Sequence, residues 1–333
     1  MKVFLDNTLP FYKANLHCHS VNSDGKLTPE QIKEEYKSRG YSAVAFTDHE
    51  HVIDNSHLTD GDFVAITGAE LAIKEDLHGS TLTSRNMKAT HLCIYSLDPH
   101  NNMTPCYNSV YDHFITPSAH GRFRHGEDYE RTYSGEGVRD IIDKAHEAGF
   151  LVCYNHPGWS LEDATDYLNY YNADFVEIFN TGAVIDGHPD DEAAFSQMLR
   201  HGIKILCTAS DDNHNRHPIG SGNSDSFGGF VMINAPRLDY SSLMEALRCG
   251  RFYSSSAPSI FSLTEDNRKI IVKSTPCRKI SLLTRGRYTR SAYPAEGETL
   301  SEAQFVLPEG IDGFRVRLED AEGRHAWSQF YTI

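Results

Sequence analysis

The residues best able to do chemistry in this chain are histidines and carboxylates, and they fall in short clusters. His17 and His19 are separated by one residue. On an extended strand that spacing puts both imidazoles on one face and turns Cys18 to the other. Asp24 follows in the turn sequence Ser23-Asp24-Gly25. Asp48 and His49 are adjacent, Glu70 closes Thr67-Gly68-Ala69-Glu70, and His91 stands alone. His156 lies in Tyr154-Asn155-His156-Pro157, and Asp211, Asp212 and His214 lie in Ala209-Ser210-Asp211-Asp212-Asn213-His214. Imidazole nitrogen and carboxylate oxygen together are the ligand set of divalent metals such as Zn, Mn or Fe. Each cluster alone also has a plain structural explanation, as a turn, a helix cap or a buried ion pair. Their shared position along the chain points to a metal site.

That position emerges from the elements that carry them. Apolar strand-like runs alternate with amphipathic helical patterns. Strands are predicted at 13–19, 42–48, 62–71, 89–95, 151–154, 175–179, 203–208 and 230–233. Helices are predicted from the capping box Thr28-Pro29-Glu30-Gln31 to Gly40, and at 137–148, 161–169, 191–201 and 243–248. Repeated strand, helix and glycine is the pattern of a parallel α/β sheet or barrel. Nearly every predicted strand delivers a ligand-type residue at or near its C-terminal end, and in a parallel barrel those ends meet on one face. Two segments break the rhythm. Residues 98–134 form a long polar insertion, as expected of an active-site lid or a disordered insertion. After Pro258 the pattern changes to short β runs, which predicts residues 1–257 as an α/β domain and 258–333 as a small antiparallel β-sandwich.

Composition narrows the function. The 333 residues include 46 acidic and 31 basic side chains, a net charge of −15, and 18 histidines. Both excesses lie early: 36 of the acids, 20 of the bases and 17 of the histidines precede Ser259. Such an acidic chain is not expected to grip a long nucleic-acid track or a membrane, which require a basic face. The seven cysteines lack any Cys-x-x-Cys pair and sit mostly in apolar runs, as expected of free thiols in a reducing compartment. The N-terminal residues carry no uninterrupted apolar stretch, so no signal peptide is expected and a cytoplasmic location is.

Taken together, Leu16-His17-Cys18-His19-Ser20 with Ser23-Asp24-Gly25, Thr47-Asp48-His49, Gly68-Ala69-Glu70, His91, Asn155-His156-Pro157 and Ser210-Asp211-Asp212-Asn213-His214 resemble the PHP (polymerase and histidinol phosphatase) family. The details resemble its stand-alone metal-dependent phosphoesterases, including the carbaryl-hydrolase-like branch. The resemblance implies a distorted (β/α)7 TIM-like barrel holding two to three divalent ions. It implies one ion on His17, His19, Glu70 and an aspartate of the last motif. A second would take Asp24, His49 and His214, and a third His91, His156 and the other oxygen of Glu70. The family's last motif is usually Asp-x-His, so either Asp211 or Asp212 could ligate; strand alternation favours Asp212 and the Ser-Asp context favours Asp211. Glu70, His49 and Asp211 are the candidate catalytic residues, with Asp48 expected to orient a ligand.

Clustered cations would lower the pKa of a bridging water and give hydroxide near neutral pH. The expected activity is therefore hydrolysis of a small phosphate ester, of the nucleotide or sugar phosphate type. A phosphate brings charge into an acidic site, so cationic or polar partners are expected from Arg122, Arg124, His125, Arg216, His217 and Asn180. The same metals could serve a carbamate or carboxyl ester, and a non-catalytic module like the degenerate PHP domains of some polymerases is the third alternative.

Overall fold

The computed structural model describes residues 1–6, 8–75 and 86–333. Local sequence signals set the helices directly. At the first helix, α1 (Pro29–Lys37), the Thr28 hydroxyl accepts the Gln31 N–H, the Gln31 side chain accepts the Thr28 N–H, and Pro29 fixes the opening turn. Asp239 caps the helix at Tyr240–Arg248 and Ser134 caps that at Gly135–Glu147 in the same manner.

The chain runs β1 (Lys2–Leu5), β2 (Phe11–Asn15), α1, β3 (Ala43–Phe46), β4 (Val64–Lys74) and β5 (Ala89–Ser96). The insertion carries β6 (Met103–Thr104), a 3₁₀ turn at Ser109–Phe114, and β7 (Arg124–His125). Then come α2 (Gly135–Glu147), β8 (Phe150–Tyr154), α3 (Ala164–Tyr167), β9 (Phe175–Asn180), α4 (Thr181–Ile185), α5 (Glu192–Arg200), β10 (Leu206–Ser210), β11 (Phe230–Asn234), α6 (Tyr240–Arg248) and β12 (Phe252–Ser255). The remainder is β13 (Ile260–Asp266), β14 (Lys269–Cys277), β15 (Lys279–Leu283), β16 (Thr289–Ala292), β17 (Leu300–Val306), β18 (Gly313–Glu319), β19 (His325–Ser328) and β20 (Tyr331–Thr332).

The fold is mixed α/β and mostly sheet. One large sheet has the order β10-β9-β8-β5-β4-β3-β2-β11-β12-β19-β18-β15-β16, with β20 beside β18. It differs from the expected TIM-like barrel in two ways. The ladder is open, with β10 at its end. In addition, β5 runs antiparallel to both β4 and β8. β4 and β5 form a long antiparallel pair, from Gly68↔Tyr95 to Lys74↔Ala89. His91 therefore reaches the site from the N-terminal half of its strand rather than from its C-terminal end. Beyond the ladder, the segments that follow β2 and β10 do meet, through the parallel bridge Cys18↔Asn213. The backbone bonds Asp212 N–H to His17 O (2.9 Å) and His19 N–H to Asn213 O (3.0 Å) hold that junction.

β3 is buried along its whole length, as expected of a parallel strand covered on both faces. A second sheet, β1-β13-β14-β17, shares a buried apolar cluster with β15, β18 and β19; Leu5, Val272, Phe305, Val316 and Ala326 belong to it. The predicted helix at 161–169 shrinks to α3, and strands β1, β6, β7, β12, β13 and β16 had no sequence prediction. All seven cysteines are free. Among the described residues no helix is long and apolar enough to cross a membrane.

A buried ionic contact ties α5 to β18. Glu192 meets Arg315 at 2.6 Å and Arg317 at 2.9 Å, and it accepts the Trp327 indole N–H at 3.0 Å. Burial raises its pKa, but the two guanidinium groups outweigh that and hold it at about 2. The carboxylate therefore stabilises the fold above the unfolded value near 4.5, and this is lost as pH falls toward 2, amounting to roughly 3 kcal/mol. Glu192→Gln is expected to lower the unfolding free energy by about that amount at pH 7 and by much less at pH 2.5, measured by urea denaturation at both values.

Candidate metal centre

Five histidines surround the buried carboxylate of Glu70. Its Oε1 lies 3.2 Å from His17 Nε2, 3.1 Å from His91 Nδ1 and 3.2 Å from His156 Nε2. Its Oε2 lies 3.3 Å from His19 Nε2 and 3.1 Å from His49 Nδ1. The long strand β4 places Glu70 at the middle of this ring, with His49 bridged to it from the neighbouring segment and His91 opposite Ala72 on β5. Asp212 closes one side, with Oδ1 at 3.2 Å from His17 Nε2 and 3.0 Å from His19 Nε2. Asp24 meets His214 Nε2 at 3.2 Å.

Four groups bring ligand atoms within 4.8 Å of one another: His17, His19, Glu70 and Asp212; His19, Asp24, His49 and His214; Glu70, His91 and His156; and His17, His156 and Glu177. The donor set fits divalent ions. His17 Nε2 and His19 Nε2 stand 3.2 Å apart and both face Asp212 and Glu70. A ring nitrogen carries either one proton or one lone pair, so protons alone leave this crowd of acceptors poorly matched, whereas a cation accepts from all of them. His19 Nδ1 is buried and has no hydrogen-bond partner among the described residues.

Without an ion the carboxylates are paired with imidazolium: although burial opposes it, Asp212 and Glu70 push His17 and His156 up and His19 to about 10, so a bound cation would replace those protons. Burial raises the Glu70 pKa, but His17, His91 and His49 outweigh it and hold the carboxyl well below its usual range. Burial likewise opposes ionisation of Asp212, and His17, His19 and His214 overcome it. Burial and the neighbouring His19 push His49 well below the ordinary imidazole value, which keeps a lone pair free.

The structure divides the expected residues. His17, His19, Asp24, His49, Glu70, His91, His156, Asp212 and His214 converge. The Asp211 carboxylate, expected as a ligand or catalytic group, is not among these converging atoms. Its oxygens accept five donors: the hydroxyls of Tyr36 and Thr181 and the backbone N–H groups of Phe227, Gly228 and Gly229, at 2.7–2.9 Å. It braces the β10–β11 connection beneath the site. The Asp48 carboxylate accepts from Ser20, Asn22 and Ser23, and so shapes the turn that carries Asp24, while its backbone O accepts the Glu70 N–H at 3.3 Å.

Arg122 and Arg124 also fall away from the cluster. Their guanidinium groups are committed to side-chain oxygens of Asn22 and Asn55, and of Asn102. His125 is exposed and bonds Gly126 O. Asn180 is buried, caps α4 through the Ala183 N–H, and donates to Glu177 and Asp212 at 2.8 and 3.2 Å, which makes it a positioning residue. Arg216 and His217 do line the cavity above the cluster, and Arg216 bonds Asp24 at 2.5 Å. That cavity has a volume of about 790 Å³.

Three contributors escaped the sequence analysis as site residues. Glu177 lies 3.1 Å from His17 Nδ1 and so turns Nε2 toward the cluster. Asn155 donates to Glu70 Oε1 at 3.0 Å, and Asp225 accepts the His214 N–H at 2.8 Å. Glu177 carried a signal: it is a lone acid inside the apolar strand run 175–179, and a buried charge there needs a partner.

No family model matches the chain. A 5′-3′ exoribonuclease from Haemophilus influenzae is 30% identical over 83 residues, which cover 24% of this chain and 30% of that protein's length. Among solved structures, the chain is similar to a two-domain protein from Bacteroides vulgatus containing a predicted PHP-like metal-dependent phosphoesterase. The TM-score is 0.47 at 15% identity, covering 98% of this chain and 95% of that one. It is also similar to a protein from Bifidobacterium adolescentis assigned as a metal-dependent phosphoesterase, with a TM-score of 0.39, 17% identity and 63% and 91% coverage. A third likeness is to an amidohydrolase from Chromobacterium violaceum solved with sulfate, with a TM-score of 0.39, 15% identity and 60% and 87% coverage.

The two adjacent aspartates give opposite expectations. Asp212→Asn should lose metal, read as the metal-to-protein ratio by elemental analysis, with little change in stability. Asp211→Asn should keep the metal but lower the unfolding free energy by about 2 kcal/mol, because an amide cannot accept all five donors.

Proposed function

We propose that this chain is a metal-dependent hydrolase of the PHP type, acting on a small phosphate ester such as a nucleotide or sugar phosphate. The observation that supports it is the buried carboxylate of Glu70, ringed by five histidines at the floor of a cavity that Lys74, Arg216 and His217 also line. Up to three divalent ions (Zn, Mn or Fe) would be held by His17, His19, Glu70 and Asp212, by Asp24, His49 and His214 with His19, and by Glu70, His91 and His156. Bound ions of this kind activate water and neutralise charge that develops on the ester. The chain's own residues do the rest. Glu177 fixes the tautomer of His17, Asn180 steers Asp212, and Asp225 holds the His214 backbone. Arg216, next to Asp24, supplies a donor for a phosphate oxygen.

The apolar side of the cavity, with Trp159, Leu161 and Phe114, favours a second reading, hydrolysis of a carboxyl or carbamate ester in line with the carbaryl-hydrolase-like resemblance. Purified protein tested on phosphate monoesters and diesters and on carboxyl and carbamate esters separates the two. Activity on the best substrate should vanish with chelator and return with added divalent metal. His17→Ala should lower it at least about 100-fold, since ligand loss removes both charge and water activation. A protein that retains no divalent metal, or a His17→Ala variant with full activity, overturns the proposal.

A further inference from the structure

The segment that follows β8 carries a feature the metal ligands do not require. Between His156 and Glu162 the chain makes a tight loop in which His156 (φ +28°) and Leu161 (φ +59°) both adopt left-handed backbone conformations. For a leucine that conformation is strained and persists only where the surroundings impose it. The surroundings here are firm. The Gly158 N–H donates to Asp191 at 2.9 Å, and the Glu162 N–H bonds Pro157 O at 3.1 Å. The Glu162 carboxylate accepts the hydroxyls of Thr90, Tyr133, Tyr154 and Tyr170. A loop anchored from below at both ends nonetheless holds two large apolar side chains out in the cavity: Trp159 is 39% exposed and Leu161 45%. Ile185, 37% exposed, lines the same cavity.

The placement relative to the cluster is specific. The Trp159 ring centroid lies 5.0 Å from that of His156 and 5.3 Å from that of His91, on the Oε1 side of Glu70. Arg216 sits at Asp24, whose partner His49 faces Oε2. The cavity thus has an aromatic end and a cationic end, with the candidate ions between them.

We propose that the loop at 156–162 is a rigid shelf that seats a planar aromatic group of the substrate against Trp159, with Leu161 and Ile185 bounding it, while the reacting group lies over the metal ligands. The inference rests on the hydrolase reading above and names the substrate class: esters bearing an aryl or nucleobase ring. An exposed indole on an immobile loop offers a stacking face at little ordering cost.

The test is binding, measured with metal-free and metal-loaded protein. The chain has two tryptophans, and the other, Trp327, is fully buried in the core, so quenching of tryptophan emission reports on Trp159. Ligands are compared in pairs that share a reacting group: phenyl phosphate with glycerol 2-phosphate, and phenyl acetate with ethyl acetate, with adenosine 5′-monophosphate added to separate a nucleobase from a simple aryl ring. Ring-bearing ligands should bind about tenfold or more tightly than their ring-free partners, and should quench emission saturably. Isothermal titration should find that advantage lost in Trp159→Ala and largely kept in Trp159→Phe. Equal binding within both pairs, or an unchanged ring preference in Trp159→Ala, overturns the shelf. Failure to hydrolyse any ester with the ring preference intact would overturn the hydrolase reading and leave the shelf standing.

Discussion

The buried carboxylate of Glu70 is the constraint on which the site depends. A lone charge in that position would be strongly disfavoured, and among the described residues the groups facing it are five imidazole rings from distant parts of the chain and the Asn155 amide. β4 is long enough to carry Glu70 into the middle of the sheet. The backbone bond from the Glu50 N–H to Glu70 O (2.8 Å) brings His49 alongside, and the antiparallel pairing with β5 brings His91. The Cys18↔Asn213 junction then joins the segments that bear His17, His19 and Asp212. This arrangement of strands lets five nitrogens reach two oxygens.

Much of the acid excess turns out to lie inside the molecule. Asp48, Glu50, Glu162, Glu177, Glu192 and Asp211 are all buried, and each is matched to donors. Asp211 takes five, Glu162 takes four hydroxyls, and Glu192 takes two guanidinium groups. These acids act as multivalent acceptors that fix loops whose backbone has no ladder of its own. A net charge of −15 therefore describes internal architecture as much as a solvated surface.

This division explains what was legible in the sequence. The ligand types, their order and most strands could be inferred because periodicity and glycine stops are local signals. Strand direction is not local: the run at 89–95 looks the same either way, so the reversal of β5 was invisible and a barrel was the simpler inference. The choice between Asp211 and Asp212 was undecidable for a related reason. Asp212 adopts φ +53°, so the chain leaves the extended conformation at that residue and the two-residue alternation no longer applies. Arg122 and Arg124 were favoured by charge alone, and charge says nothing about which loop asparagines lie within reach. Trp159 attracted no notice because a single tryptophan in a loop carries no pattern; its meaning comes from its rigid base and its histidine neighbours.

The insertion at 98–134 shows how the site's rim is kept in place. Phe114, on its 3₁₀ turn, lies with its ring centroid 4.4 Å from that of His49. The Thr116 and Ser118 hydroxyls both donate to Val21 O at 2.6 Å, at the start of the turn that carries Asp24. Arg131 enters the interior, bonds Ala72 O and Cys106 O, and pairs with Glu50 at 2.7 Å, one residue from His49. Removing that guanidinium would leave Glu50 buried without its cationic partner, in a position where burial already pushes its pKa up. The insertion thus bears on Asp24 and His49 from outside while Asp48 bears on the same turn from within. The second ligand group is held between the two, and its geometry depends on a segment that supplies none of its ligands.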